Sequence, residues 1–314
     1  MRRRASPPVV TLVVLALLFG ATALLGVSAS TGSRESLTFI TGVPWLVWKV
    51  VGAFALVVFA ALFAQALQIL RNAPEWGLNG SRERAGRYLI AAGFVVLAIA
   101  AVILLVGGDP DIPVSGLVFR TRAVLFAGML TSIPWLALVW LAHAECHDLE
   151  DGLTSAVKDP PAPHHSLAAV NARLLLLWRL LTACVTTFAV TVVAAIVNSG
   201  ALRASFLAAH PARSSQFPPA NVLFYGAFFA VILAVITIPL VATWRACAFS
   251  VVERTCPLPA DGRPTEAWFS ARAQLEKLLH LDVPLIRNPL TALSIFVPLI
   301  TAALAAFVPQ LGTS

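Results

Sequence analysis

Cutting the chain at every Lys, Arg, Asp and Glu leaves seven charge-free runs longer than the roughly 18 residues that mark a membrane-crossing helix. They are 5–33, 50–70, 88–108, 123–144, 180–202, 214–244 and 288–314. The next longest, 36–48 and 160–172, are too short to cross a bilayer. Backbone in hydrocarbon has no water to bond with, so each run satisfies its peptide groups internally and is read as a helix. Barrel strands would alternate in polarity over short segments, and these runs do not. With 59% hydrophobic and 12% charged residues, the composition agrees, since a soluble domain carries about a quarter charged residues.

The fold class that follows is all-α: a polytopic transmembrane helical bundle of seven membrane helices, six if the first is a cleaved signal peptide, plus a short inner amphipathic helix. Expected membrane helices are about 9–29, 44–70, 88–106, 123–142, 174–197, 222–246 and 289–308. Residues 1–314 form a single integral membrane domain, because the inner loops 143–173 and 247–288 are too short to fold independently. Met1-Arg2-Arg3-Arg4 followed by an apolar run from Val9 to Val27 reads as a retained first helix. A signal peptide cut after Val27-Ser28-Ala29 is the alternative, but the apolar part is long for one. Pro44-Trp45-Leu46-Val47-Trp48-Lys49 reads as an interfacial aromatic anchor. Trp268, Leu275, Leu278 and Leu279 recur at helical spacing with charges between them, which is the amphipathic helix; Pro264 suits its first position.

Orientation follows from the basic residues. With the N-terminus inside, inner segments hold Arg2, Arg3, Arg4, Arg71, Arg82, Arg84, Arg87, Lys158, Arg173, Arg179, Arg245, Arg254, Arg263, Arg272, Lys277 and Arg287, sixteen of the 22. Outer segments hold the other six. That asymmetry places the chain in the cytoplasmic membrane with N-terminus inside and C-terminus outside. The net charge of +7 is spread over these boundaries and forms no patch, so the expected partners are the lipid bilayer and a protein docking at the inner loops, with no nucleic acid. The four cysteines lie in helices or inner segments, where free thiols are expected. The abundance of Arg over Lys, and of Ala, fits a bacterial protein.

The densest group of ionisable side chains is His143-Ala144-Glu145-Cys146-His147-Asp148-Leu149-Glu150-Asp151, between the fourth and fifth apolar runs. His143 and His147 are four apart, which places both imidazoles on one helical face as a metal pair requires. Ala144 follows His143, however, so the Glu of the His-Glu-x-x-His zinc motif is missing. Membrane di-iron centres need many more histidines than the six present. We therefore expect no metal, no cofactor and no catalytic residues, and read the cluster as a charged helix end. No serine lies in a Gly-x-Ser-x-Gly context, no Gly-rich phosphate loop is present, and Asp151-Gly152 lacks the further acids of lipid-headgroup transferases. Arg179 lies one and a half turns past Arg173 in an apolar helix. A central arginine there costs at least about 2.5 kcal/mol, and near an end it snorkels to the headgroups; pairing with Glu145 or Asp148, or lining an aqueous vestibule, is its alternative. Thr182, Thr186, Thr187 and Thr191 extend a hydroxyl stripe whose expected role is helix packing. The functional polar positions to follow are thus Arg179, His143, His147, Glu145 and Asp148.

Three functional readings remain. The leading one is a non-enzymatic transport, channel-like or effector protein whose inner loops receive a signal or partner. The others are an integral membrane enzyme acting on lipid at the inner interface and a structural subunit of a membrane complex. Orientation is testable first. Single cysteines at Ser81, Ser155 and Ser270 in a cysteine-free background should resist an impermeant thiol reagent on intact cells, whereas those at Ser33, Ser115 and Ser214 should label. Strong external labelling at position 155 overturns the orientation.

Overall fold

A computed structural model describes residues 39–76, 78, 82–106, 114–155, 167–282 and 289–311. The expected first membrane helix, 9–29, lies outside them. Among these residues seven α-helices follow in order: α1 Val43–Arg71, α2 Arg82–Val106, α3 Leu117–Ser155, α4 Leu167–Ala209, α5 Pro219–Thr255, α6 Glu266–Leu278 and α7 Pro289–Leu311. Short 3-10 turns occupy Ala73–Trp76 and Pro211–Gln216, and no strand occurs among the described residues. The protein is an all-α bundle. The helices α1 to α5 are long and apolar enough to cross a membrane.

Three helices run well past their apolar segments. α3 has 39 residues, α4 43 and α5 37. At 1.5 Å per residue these are ~58, ~64 and ~55 Å, against ~30 Å of hydrocarbon. The charged stretch from His143 to Ser155 continues α3, and Leu167–Arg173 already belongs to α4. No proline interrupts either stretch, and ion pairs between the extensions favour helix over loop. The chain therefore has a charged end, where α1 and α3 finish, α2 and α4 begin and α5 finishes, and a far end with Val43, Val106, Leu117, Ala209 and Pro219.

α3 and α4 are more than half buried over their most apolar stretches, whereas α2 is largely exposed. α4 packs against α1, α3, α5 and α7. The main core joins α3, α4 and α5 through side chains such as Leu138, Leu177, Leu181 and Val241. Two buried tryptophans satisfy their indole N–H groups on the backbone of a neighbouring helix. Trp135 of α3 donates to the Leu62 carbonyl of α1 at 3.0 Å, and Trp244 of α5 donates to the Leu174 carbonyl of α4 at 3.1 Å. Thr131, one turn before Trp135, donates to the Phe59 carbonyl at 3.0 Å. A buried indole without such an acceptor would carry the full desolvation cost of its N–H.

α7 is held by small residues. A Cβ built on Gly200 of α4 would lie 2.7 Å from the Cβ of Ala305, and one built on Gly226 of α5 would strike the Cβ of Ala302. Both glycines admit α7 to close backbone approach, the usual device where lipid tails are as apolar as the helices themselves. Arg203, 2% exposed, adds a polar tie. Its Nε donates to the Phe217 carbonyl at 3.0 Å and its Nη1 to the Ala306 carbonyl at 3.2 Å.

Two expectations change. Trp45 and Trp48 do not face headgroups: they stack at 4.8 Å and are fully buried against Phe59, Leu202 and Phe206. Their ring area is covered by α4, which the position of an aromatic pair near a helix end does not reveal. Pro264 precedes α6 instead of starting it. Thr265 is the N-cap, its hydroxyl accepting from the Trp268 N–H at 3.3 Å, which satisfies one of the free donors of the first turn.

Candidate functional site

The charged end is assembled from α2, α3, α4 and α5. Glu145 of α3 is 2% exposed, and its carboxylate is paired with the Arg173 guanidinium of α4. Asp148, one turn further on, reaches the other neighbour: Arg84 of α2 donates Nη1 to Asp148 Oδ2 at 2.6 Å. Arg254 of α5 donates to the Leu153 carbonyl near the end of α3. Three arginines from three helices thus grip one extension of α3. The buried pair and the exposed pair differ in consequence. Losing one partner of a buried pair leaves a charge without water or counter-charge, whereas an exposed pair such as Arg84–Asp148 is screened and contributes little.

Arg179 takes no part in this grip. It is exposed and lies six residues beyond Arg173, roughly 120° around α4 at 100° per residue. Its neighbour Trp178 lies between Trp244, tilted to it at 4.5 Å, and His280, stacked on it at 5.1 Å. His280 has φ of 51°, a left-handed conformation that turns the chain after α6. That turn buries Leu279 completely and lets Arg245 Nη2 donate to the Leu281 carbonyl at 3.2 Å. α6 is therefore tied to α4 and α5 at its C-terminal end, while Phe269 and Leu278 remain exposed on it.

The His143 and His147 rings meet edge to face at 4.7 Å. Cys146 points elsewhere and is 1% exposed. His164 and His165 lie outside the described residues, and among those described no group of three His, Cys, Asp or Glu side chains could hold a metal ion.

A second feature is a cleft between α2 and α5. α2 packs chiefly on α3, and no extensive α2–α5 contact closes the bundle on that side. The gap holds a cavity of about 930 Å³ and a second of about 480 Å³. Both are lined by Val95, Ile99, Leu136, Ile232 and Ile236, so they form one groove along the bundle. Its lips are apolar and exposed, for example Val95 and Val102 on α2 and Val231 and Val235 on α5. At the far end it is lined by Arg122, Gln216 and Asn221, and at the charged end by Trp140 and His143. Thr191 and Asn198 of α4 line it, each 7% exposed, with their Oγ1 and Oδ1 atoms turned away from its open space and without a hydrogen-bond partner among the described residues.

Of the polar positions marked in the sequence, the structure brings Glu145 and Asp148 into ion pairs, sets His143 on His147 and at the end of the groove, and leaves Arg179 apart. Arg173 and Asn198 were not singled out. Asn198 could have been, as an amide inside an otherwise apolar run. Comparisons of the chain with known protein families, characterised proteins and solved structures give no match.

Breaking the buried pair should be costly. Arg173→Ala should lower unfolding stability in detergent by about 3 kcal/mol, the low end for a broken buried pair because a quarter of Arg173 stays exposed. Removing both charges, Glu145→Leu with Arg173→Leu, should recover most of the loss in thermal unfolding. Arg84→Ala should change the midpoint little. Equal losses in all three variants would show that the pair does not carry the charged end.

Proposed function

We propose that this is a multi-pass protein of the cytoplasmic membrane, with its N-terminus inside and C-terminus outside, that takes an amphiphile from the bilayer in a non-enzymatic transport or effector role. One observation carries the reading: the larger of the two cavities lies between α2 and α5, among exposed apolar side chains and beside the packed core of α3, α4 and α5. The axis between α3, α4 and α5 is filled by Leu, Val and Trp side chains. That packing weighs against a channel-like role, because conduction needs a polar or wettable path. A volume of about 930 Å³ lies in the range of sites that enclose a small-molecule ligand.

The charged end supports the effector half of the proposal. The excess of Lys and Arg in the segments read as inner supports a cytoplasmic position for this end. There the extensions of α3, α4 and α5, with α6 tied on by Trp178 and Arg245, offer a structured surface where a protein partner would dock. The exposed Phe269 and Leu278 of α6 suit insertion at the headgroup boundary. The second reading, an integral membrane enzyme acting on lipid, draws on His143, which lines the groove at this end.

The reading separates from a channel by what reaches the groove. A single cysteine replacing Ala195, which lines the larger cavity, should resist an aqueous thiol reagent from either side. A fluorophore attached there in detergent, after reconstitution, should be quenched by lipids brominated on their acyl chains. Rapid aqueous labelling with no quenching would replace the amphiphile groove by a water-filled path.

A further inference from the structure

We propose that the far half of α2, from Val95 onward, is a lid that swings about Gly93 to open and close the groove towards the bilayer. The proposal rests on the reading of the groove as a site entered from the membrane, and adds how entry is controlled.

α2 is held in two different ways along its length. Its inner half is anchored. Arg84 is paired with Asp148, and the Tyr88 ring meets Trp140 edge to face at 6.1 Å. Ala92 is fully buried in the main core, with Tyr88 and Leu89 packed against that core. Beyond Gly93 the attachment changes. Val96 and Ala100 share a separate small cluster with Met129 of α3, and the side chains around them, such as Ile99 and Ile103, are only partly buried. Among the described residues, α3 is the one helix on which α2 packs extensively. Every α2 residue lining the two cavities lies in this weakly held half: Val95, Val96, Ile99, Val102, Ile103 and Leu104. The wall of the groove and the loosely held segment are the same piece of chain.

Gly93 stands at the boundary. A Cβ built on it would meet nothing within 4 Å. Those built on Gly200 and Gly226 would strike alanine side chains of α7, so packing explains these two glycines and does not explain Gly93. A glycine without a packing role still weakens a helix interior, because its backbone keeps more freedom than that of alanine. Such a position absorbs a change of φ and ψ readily. Val106 lies thirteen residues beyond Gly93. At 1.5 Å per residue that is ~20 Å, so a bend of about 20° moves the tip by about 7 Å. The shift approaches the roughly 8–10 Å that separates packed helices.

Little free energy opposes the swing. Val102 and Leu105 are exposed on the far half, and Phe224 and Phe228 of α5 stand exposed on the opposite wall. Lipid tails are as apolar as that wall. Moving the far half from lipid to protein therefore trades one apolar contact for another, and packing alone separates open from closed. Both states are then populated, and an amphiphile in the groove holds the open one.

The test is a pair of spin-label distances measured by double electron–electron resonance on the full chain in nanodiscs, in a cysteine-free background. Leu105→Cys with Phe224→Cys spans the groove at the far end, and Ile90→Cys with Val235→Cys spans the same two helices nearer the charged end. All four side chains are exposed, so labels fit there. The far pair should give a broad or two-peaked distribution spread over about 7 Å, and the inner pair a single narrow one. Gly93→Ala, which the open space at position 93 accommodates, should narrow the far pair to the width of the inner pair. Equally narrow distributions for both pairs in the wild type overturn the lid, and a broad far pair that Gly93→Ala leaves unchanged overturns the hinge. Lipid quenching at position 195 together with a rigid α2 removes the lid and leaves the amphiphile groove standing. A broad far pair without that quenching overturns the groove reading on which the lid depends.

Discussion

A peptide group in hydrocarbon has no water to bond with, and most of this structure follows from that. It makes the apolar runs helical and keeps them unbroken. It also removes the ordinary hydrophobic drive for helices to associate, since lipid tails are as apolar as leucine. Other contacts then hold the bundle. Gly200 and Gly226 let α7 approach the backbones of α4 and α5. The indoles of Trp135 and Trp244 and the guanidinium of Arg203 donate to carbonyls on other helices. Each of these ties α4, α3 or α5, whereas α2, among the described residues, is joined chiefly to α3, by packing and by the Arg84–Asp148 pair. Among the described residues, the side of the bundle between α2 and α5 stays open for that reason.

Charge is confined to the ends by the same constraint, and there it is used to join helices. Glu145 is buried only because Arg173 faces it from α4. The carboxylate alone would be several kcal/mol too costly at that depth. The arrangement makes the extended ends of α3, α4 and α5 one body, to which α6 is fixed by the ring contacts of Trp244, Trp178 and His280. A ligand that wedged α2 from α5 in the membrane would meet this body through α3, since Arg84 of α2 is held to Asp148. Groove and charged end are mechanically continuous along α3.

How much was legible in the sequence follows from what each signal measures. The positions of α1 to α5 were legible because a single charge in hydrocarbon is expensive, so charge-free length is a direct reading of depth. Helix ends beyond the membrane were not, because His143–Ser155 carries no proline and its charges suit a solvated helix as well as a loop. The identity of the paired arginine was hidden for a different reason. Arg173 and Arg179 stand on one helix, and only the direction of each side chain decides which meets Glu145. The burial of Trp45 and Trp48 depends on α4 lying across them, and the groove depends on a contact that α2 and α5 do not make. Asn198 carried a weak signal on its own, and its place beside the cavity follows only from the fold.

The most direct measurement is a density map of the full chain in lipid nanodiscs by single-particle electron microscopy. The account predicts separated α2 and α5 with elongated density of a bound amphiphile between them, along Val95, Ile99, Ile232 and Ile236. Direct contact of α2 with α5 along their length, or a protein helix such as residues 9–29 filling the gap, would contradict it.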